Sequence, residues 1–331
     1  MNSNNLKKIF SIENRTRYFV HAVFCLAVLS VAIFSLLVVG NKSLDKKNEL
    51  AALETKKINF FESIEIKGKA VVVYDAANGK EIFSKNPDEA LPLASLTKVL
   101  TAVVASGKLD DNQQIKITKE YLSTEGDSKF VVGDMWRAKD LRDFTLLTSS
   151  NDGALALAAV AGSINIPKLA ESENPEMEFV KEMNAVASKI GLVHSRFYNE
   201  HGLDIIEASG TPNEILKGGA YGSARDMALL FAYTLKNYPE ILEATRYNNL
   251  EFKSDAEKYE AGNTNIFVNK IPNIIASKTG YTDLAGGNLV IAFDAGINRP
   301  IIISILGSTQ DDRFEDALKL ASATISYINN R

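Results

Sequence analysis

The sequence predicts an α/β protein of the α+β type, with one antiparallel sheet built from both ends of its globular part and a helical insert between them. Strand signals cluster at residues 69–84 and return at 273–306, whereas the stretch between reads mainly as helices. A chain of 331 residues, 46% apolar and 24% charged, can bury a sizeable core. A long uncharged run near the start sets the first 67 residues apart from the rest.

Lys7, Lys8, Arg15 and Arg17 lie in 1–17, and residues 18–41 carry no formal charge. Residues 20–39 are almost wholly apolar, and twenty helical residues span a bilayer core of ~30 Å. The expectation is a cytoplasmic segment at 1–17, a transmembrane anchor at 18–40 and a domain outside the cytoplasmic membrane. A cleaved signal peptide is the alternative, but Val38-Val39-Gly40 makes a poor cleavage site. Residues 41–67 are charged and weakly amphipathic and read as a stalk, leaving 68–331 as the working domain. The first fifty residues hold seven Lys/Arg and three Asp/Glu, so a chain total of −4 leaves −8 for 51–331. That balance argues against nucleic acid as a partner. Cys25 falls inside the anchor and only His194 and His201 lie beyond it, so no disulfide, metal site or cofactor is expected in the domain.

In the domain, 69–75 reads as a strand, Asn78-Gly79 as a hairpin turn and 80–84 as the returning strand. After Pro92 a helix starts near Ser95, because Leu96, Val99, Leu100, Val103 and Val104 recur at helical spacing. Residues 108–140 are mixed and polar. Helices follow at 141–147, 154–161 and 179–190, then a loop at 198–204 and a helix at 223–235. Strands are expected at 273–281, 287–293 and 300–306, closed by an amphipathic helix at 314–328.

Ser95 and Lys98 are three apart in the buried helix, so their side chains share a face one turn apart. Burial disfavours the charged amine, and a neutral amine beside a hydroxyl is a general base beside a nucleophile. The helix N-terminus adds backbone N–H groups for a developing oxyanion. The same spacing occurs at Ser43 and Lys46 in a charged stretch, where it carries nothing, so the partners of Ser95 decide its meaning. Ser149-x-Asn151 sits where two apolar helices join. It reads either as a capped surface turn or as a polar group aimed inward, and Ser3, Ser163 and Ser172 begin the same pattern. Lys278-Thr279-Gly280 occurs once, in a strand too apolar for an exposed lysine, and Gly280 leaves room for a ligand backbone.

In that order, Ser95-x-x-Lys98, Ser149-x-Asn151 and Lys278-Thr279-Gly280 resemble the penicillin-recognising serine enzymes. In finer detail the chain looks like the D-alanyl-D-alanine carboxypeptidases, the low-molecular-weight penicillin-binding proteins. Asn199-Glu200-His201-Gly202-Leu203, Ser223-Ala224-Arg225-Asp226-Met227-Ala228 and Gly280-Tyr281-Thr282-Asp283-Leu284-Ala285-Gly286 are also similar to that family. The resemblance runs from about Lys69 to the end. It implies a β-lactamase/transpeptidase-like fold and a membrane-anchored serine peptidase of peptidoglycan biosynthesis. Such an enzyme removes the terminal D-alanine from peptidoglycan stem peptides and is trapped covalently by β-lactams.

The resemblance also implies roles. Ser95 is the acylated nucleophile, Lys98 takes its proton, and Ser149 relays a proton toward the leaving amine. Asn151 holds the substrate amide, while Lys278, Thr279 and Arg313 meet the terminal carboxylate. The oxyanion hole would use the backbone N–H groups of Ser95 and Tyr281, with Gly280 beside it. Arg225 would support the Lys278 strand, a surface salt bridge being the alternative. Many members carry a further β-rich domain and a C-terminal anchor, whereas here Arg331 directly follows the last predicted core helix. The shorter build also resembles the DD-endopeptidases, so cleavage of cross-links stays open.

Three rivals remain. A β-lactamase would need a glutamate to position water, with Glu171, Glu173 and Glu200 the nearest candidates. A Ser-His-Asp hydrolase using His201 lacks the G-x-S-x-G elbow, and His201 is better explained as shaping its loop. A cell-wall sensor that acylates but scarcely turns over would carry the same residues.

Overall fold

The computed structural model describes residues 60–61, 64–122, 125–126, 129–164, 174–207, 215–296 and 298–330, together with 23, 29 and 30. The expected segment 1–17, almost all of the anchor 18–40, most of the stalk, Glu171 and Glu173 lie outside these residues. Among the described residues no helix is long and apolar enough to cross a membrane.

Five strands form the main sheet: β1 (Ala70–Asp75), β2 (Lys80–Lys85), β3 (Ile274–Thr282), β4 (Gly286–Asp294) and β5 (Pro300–Ser308). Their spatial order is β3-β4-β5-β1-β2, and every pairing is antiparallel. The first and last strands of the domain meet at its centre, with Ala70 opposite Leu306 and Asp75 opposite Ile301. The run of valines in β1 and of isoleucines in β5 suits a sheet covered on both faces. Val71, Val73, Leu289, Ile291, Ile301, Ile303 and Ile305 face one way, against Phe314, Ala317, Leu320 and Ala321. Those four belong to α6 (Asp312–Asn329). Ala70, Val72, Val290, Ala292, Ile302 and Leu306 face the other way and join the core of the insert. Each fully buried Ile or Val contributes about 1.5–3 kcal/mol.

The insert contains α1 (Thr97–Ser106), α2 (Ala138–Thr148), α3 (Asn151–Ser163), α4 (Pro175–Ile190) and α5 (Ala224–Asn237). In α1 every residue from Thr97 to Ala105 is buried, Lys98 and two threonines included, so the helix is set in the core. Between α2 and α3 the chain turns sharply. Ser149 takes a left-handed conformation (φ 64°), and Ser150 caps α3 by accepting from the Gly153 N–H at 2.9 Å.

Two differences from the sequence reading have physical causes. The polar stretch 108–140 hides paired strands at Gln114–Lys116 and Met135–Arg137, and a second hairpin joins Asn249–Lys253 to Lys258–Gly262. These strands are three to five residues long, too short for a periodic signal. The folded unit also begins at Phe60, eight residues before the expected boundary at 68. Phe61 stacks on Phe83 at 4.9 Å, and the buried Asp316 carboxylate accepts from the Lys67 and Gly68 N–H groups at 3.0 and 2.9 Å. The end of the expected stalk is therefore packed.

Candidate active site

Ser95 lies in a 3₁₀ turn (Ala94–Leu96) that leads straight into α1, two residues later than a helix starting at Ser95 would have it. Ala94 is held at φ 49°, a strained value for a residue with a Cβ. What holds it is a grip from both sides. Asn288 of β4 donates through Nδ2 to the Pro92 and Leu93 carbonyls at 2.9 and 3.1 Å, while its Oδ1 accepts from the Gly307 N–H at 2.8 Å. Gly280 of β3 approaches so closely that a Cβ there would stand 2.8 Å from the Leu93 carbonyl and 3.2 Å from the Ser95 nitrogen. Gly202 comes closer still, and a Cβ there would meet the Ala94 carbonyl at 2.0 Å.

One turn on, Lys98 is 1% exposed. Its Nζ lies 2.8 Å from Ser95 Oγ, 2.7 Å from Asn151 Oδ1 and 2.7 Å from the His201 carbonyl. Burial pushes the amine down to about 7, and the Glu200 charge works against that shift. A neutral amine has two N–H groups and one lone pair. The two carbonyl oxygens can take the N–H groups, which leaves the lone pair for the Ser95 hydroxyl proton. Asn151 is oriented for this by donating its Nδ2 to the Glu125 carbonyl.

Across the site, Lys278 of β3 is equally buried, and its Nζ donates to Ser149 Oγ and to the Thr279 carbonyl, both at 2.8 Å. Burial, then the Lys98 and Arg313 charges, hold this amine well below the usual lysine range. Thr279 shares a 2.6 Å hydroxyl contact with Thr264. Arg313, in the first turn of α6, donates Nη1 to the Gly280 carbonyl at 2.7 Å, and among the described residues its buried Nε has no partner. Burial lowers it only to about 10, so it stays a cation at neutral pH. Tyr281, near the end of β3, is 44% exposed. Ser149 and Asn151 open onto a cavity of about 510 Å³ walled by the Lys258–Gly262 strand and by Phe144.

Arg225 is the exception. Rather than supporting the Lys278 strand, it bonds Glu81 of β2 and Asp88, a half-exposed surface network. It is the second residue of α5, and its guanidinium is taken up by these two carboxylates. His201 also takes the modest role. Its Nδ1 accepts from the Leu203 N–H at 3.1 Å, and its backbone carbonyl, rather than its ring, reaches the Lys98 amine. Among the described residues no three His, Cys, Asp or Glu side chains converge as metal ligands would.

The cluster therefore joins a hydroxyl to a neutral amine on one side and a second hydroxyl to a second amine on the other, a set suited to acyl transfer. The family model described as D-alanyl-D-alanine carboxypeptidase matches residues 55–310. The chain belongs to that family. Its carboxypeptidase relatives include DacF of Bacillus subtilis, 28% identical over 78% of this chain and 62% of DacF. The chain thus spans about three fifths of the length of DacF and of the Escherichia coli carboxypeptidases DacC and DacA. A D-alanyl-D-alanine endopeptidase of Pseudomonas aeruginosa is 29% identical over 77% of this chain and 76% of its own length. Among solved structures, the Streptomyces K15 DD-transpeptidase superposes with a TM-score of 0.67 at 22% identity, covering 80% of this chain and all of its own. Penicillin-binding protein D2 of Listeria monocytogenes, in a cefotaxime-bound form, gives 0.64 at 24% identity over 79% and 98%. These likenesses establish the β-lactamase/transpeptidase fold.

Sequence reasoning did not single out Asn288, Thr264 or the Glu125 carbonyl. Each meets its partner only on folding, across 195 residues for Asn288 and Leu93, 26 for Glu125 and Asn151 and 15 for Thr264 and Thr279. Glu200, named in the sequence as part of the Asn199–Leu203 motif and as a candidate to position water, is a buried carboxyl 4% exposed on the loop whose His201 carbonyl meets Lys98.

Proposed function

We propose that this carboxypeptidase-family chain is a membrane-anchored serine peptidase that removes the terminal D-alanine from peptidoglycan stem peptides. The observation that carries the reading is the 2.8 Å contact between the nearly neutral Lys98 amine and Ser95 Oγ. Ser95 Oγ attacks the carbonyl of the penultimate D-alanine as its proton passes to Lys98. The Ser95 and Tyr281 backbone N–H groups receive the oxyanion. The tetrahedral adduct collapses to an acyl-serine ester, and the departing D-alanine amine takes a proton through Ser149. Water then cleaves the ester and restores Ser95 and the shortened peptide. Asn151 holds the peptide amide, and Lys278, Thr279 and Arg313 read the terminal carboxylate.

The anchor at 18–40 would keep this domain beside its substrate outside the cytoplasmic membrane. An alkaline carbonate wash should leave the full chain in the membrane pellet, and release into the supernatant would contradict an integral anchor. The endopeptidase relative supports a second substrate, the D-alanyl cross-link. Incubation with a stem pentapeptide and with a cross-linked dimer, followed by product mass, tests both. Loss of one D-alanine supports the first reading, monomers from the dimer support the second, and no turnover of either contradicts both.

A further inference from the structure

Glu200 is a buried carboxyl that the acyl-transfer steps leave unused. It precedes His201, whose carbonyl accepts from Lys98, and its own carbonyl accepts at 2.6 Å from Thr101 Oγ1, three residues beyond Lys98 in α1. The Glu200–Leu203 loop is thus fastened to α1 at the level of the base. The Leu203 N–H occupies His201 Nδ1, which places the ring proton on Nε2, 3.5 Å from Glu200 Oε1. Glu200 and His201 also line a cavity of about 650 Å³ between α4 and residues 196–201, walled in part by Val180 and Tyr198. The carboxyl therefore stands on the loop that meets the base and lines a solvent-open chamber.

Resting on the acyl-serine reading, we propose that Glu200 is a positioning residue that acts through Lys98. Its carboxylate stabilises the protonated amine, and its protonated form releases the neutral amine that accepts the Ser95 proton. Each group takes up and releases its own proton, and the charge on one sets how readily the other holds its proton. Protons enter or leave through the chamber. Neither group transfers electrons, and no further reactant is required. The groups facing the pair are His201 on the same loop, Glu176 on α4 and Lys278 on β3. Burial raises Glu200 to about 7, with the Glu176 charge adding to the rise and Lys98 opposing it. Burial drops His201 to about 3, so its ring is neutral and adds no charge over the working range. Glu200 and Lys98 thus both titrate near neutrality, each charge opposing the other's shift.

The sign follows. Removing the carboxylate removes what favours the ammonium, so the Lys98 amine becomes neutral at lower pH. In Glu200→Gln the acid limb of Ser95 acylation by a fluorescent penicillin should move down by about one pH unit. The ratio of its rate at pH 6 to that at pH 9 should rise severalfold over the wild type. An unmoved limb, or acylation unchanged while hydrolysis of the acyl-enzyme slows more than tenfold, overturns the proposal, the latter making Glu200 a water base. A variant that misfolds leaves the wild-type measurement: the Glu200 side-chain carboxyl, followed by ¹³C NMR, should titrate together with the acid limb. Titration in the usual carboxylate range overturns the coupling. A wild-type chain that takes no penicillin at any pH fails the acyl-serine reading itself, before the variant is consulted.

Discussion

At the residue scale the proposed chemistry depends on two amines that burial keeps from being ordinary lysines. Lys98 is neutral above about 7, so Ser95 acylation should rise with pH through that value and level off above it. Lys98→Arg keeps a cation but cannot give up its proton, and it should lower the acylation rate by ~10²–10⁴-fold. Near wild-type acylation in that variant would mean another group is the base. Arg313 poses a subtler question, because its Nη1 already serves the Gly280 carbonyl. If its free donor reads the substrate carboxylate, Arg313→Ala should lower kcat/KM on a D-Ala-D-Ala peptide roughly 10–100-fold. The variant should then be indifferent to amidation of the peptide, which slows the wild type. An unchanged amidation penalty would leave Arg313 as a support for Gly280 alone. Ser95, Lys98 and Lys278 were legible because a buried lysine is chemically conspicuous in an apolar run. The choice between strand support and a surface salt bridge for Arg225 stayed open in the sequence, because Ser-Ala-Arg-Asp says nothing of Glu81 and Asp88, which become its neighbours only on folding.

At the element scale, β3 and β4 present the nucleophile turn as much as α1 does. Gly280 meets backbone atoms of Leu93 and Ser95, and no flexible side chain there could yield. Gly280→Ala should therefore displace β3 from the turn and slow acylation by roughly 100-fold, since a shift near 1 Å can cost that much. Acylation of the variant at the wild-type rate would show that the strand can slide freely. The long strands and helices were legible from apolar runs and helical spacing, and β1, β3, β4 and β5 fall within two residues of expectation at each end. The grip of Asn288 was not, because an asparagine in an apolar strand looks the same whether it clamps a turn or not.

At the scale of the whole molecule, the fold brings the two ends of the domain together so that β1 lies beside β5 and α6 covers both. Asp316 on α6 ties the entering chain down by accepting from the Lys67 and Gly68 N–H groups and from Ser308 Oγ. Asp316→Ala should cost about 1.5–3 kcal/mol, seen as a lower thermal midpoint, because it strips the charged partner from buried donors. An unchanged midpoint would show that the contact contributes nothing net. This closure was predictable in outline from strand signals at both ends, but the start at Phe60 was not. Phe60 and Phe61 stand in a charged stretch, and only the folded sheet supplies the surface that Phe61 covers. The central claim is an acyl-serine at Ser95 made by a neutral Lys98. The most direct test is the intact mass of the chain after incubation with penicillin, followed by peptide mapping. The account predicts a gain of one drug molecule on the peptide containing Ser95, lost in Ser95→Ala; a label on any other residue, or none, contradicts it.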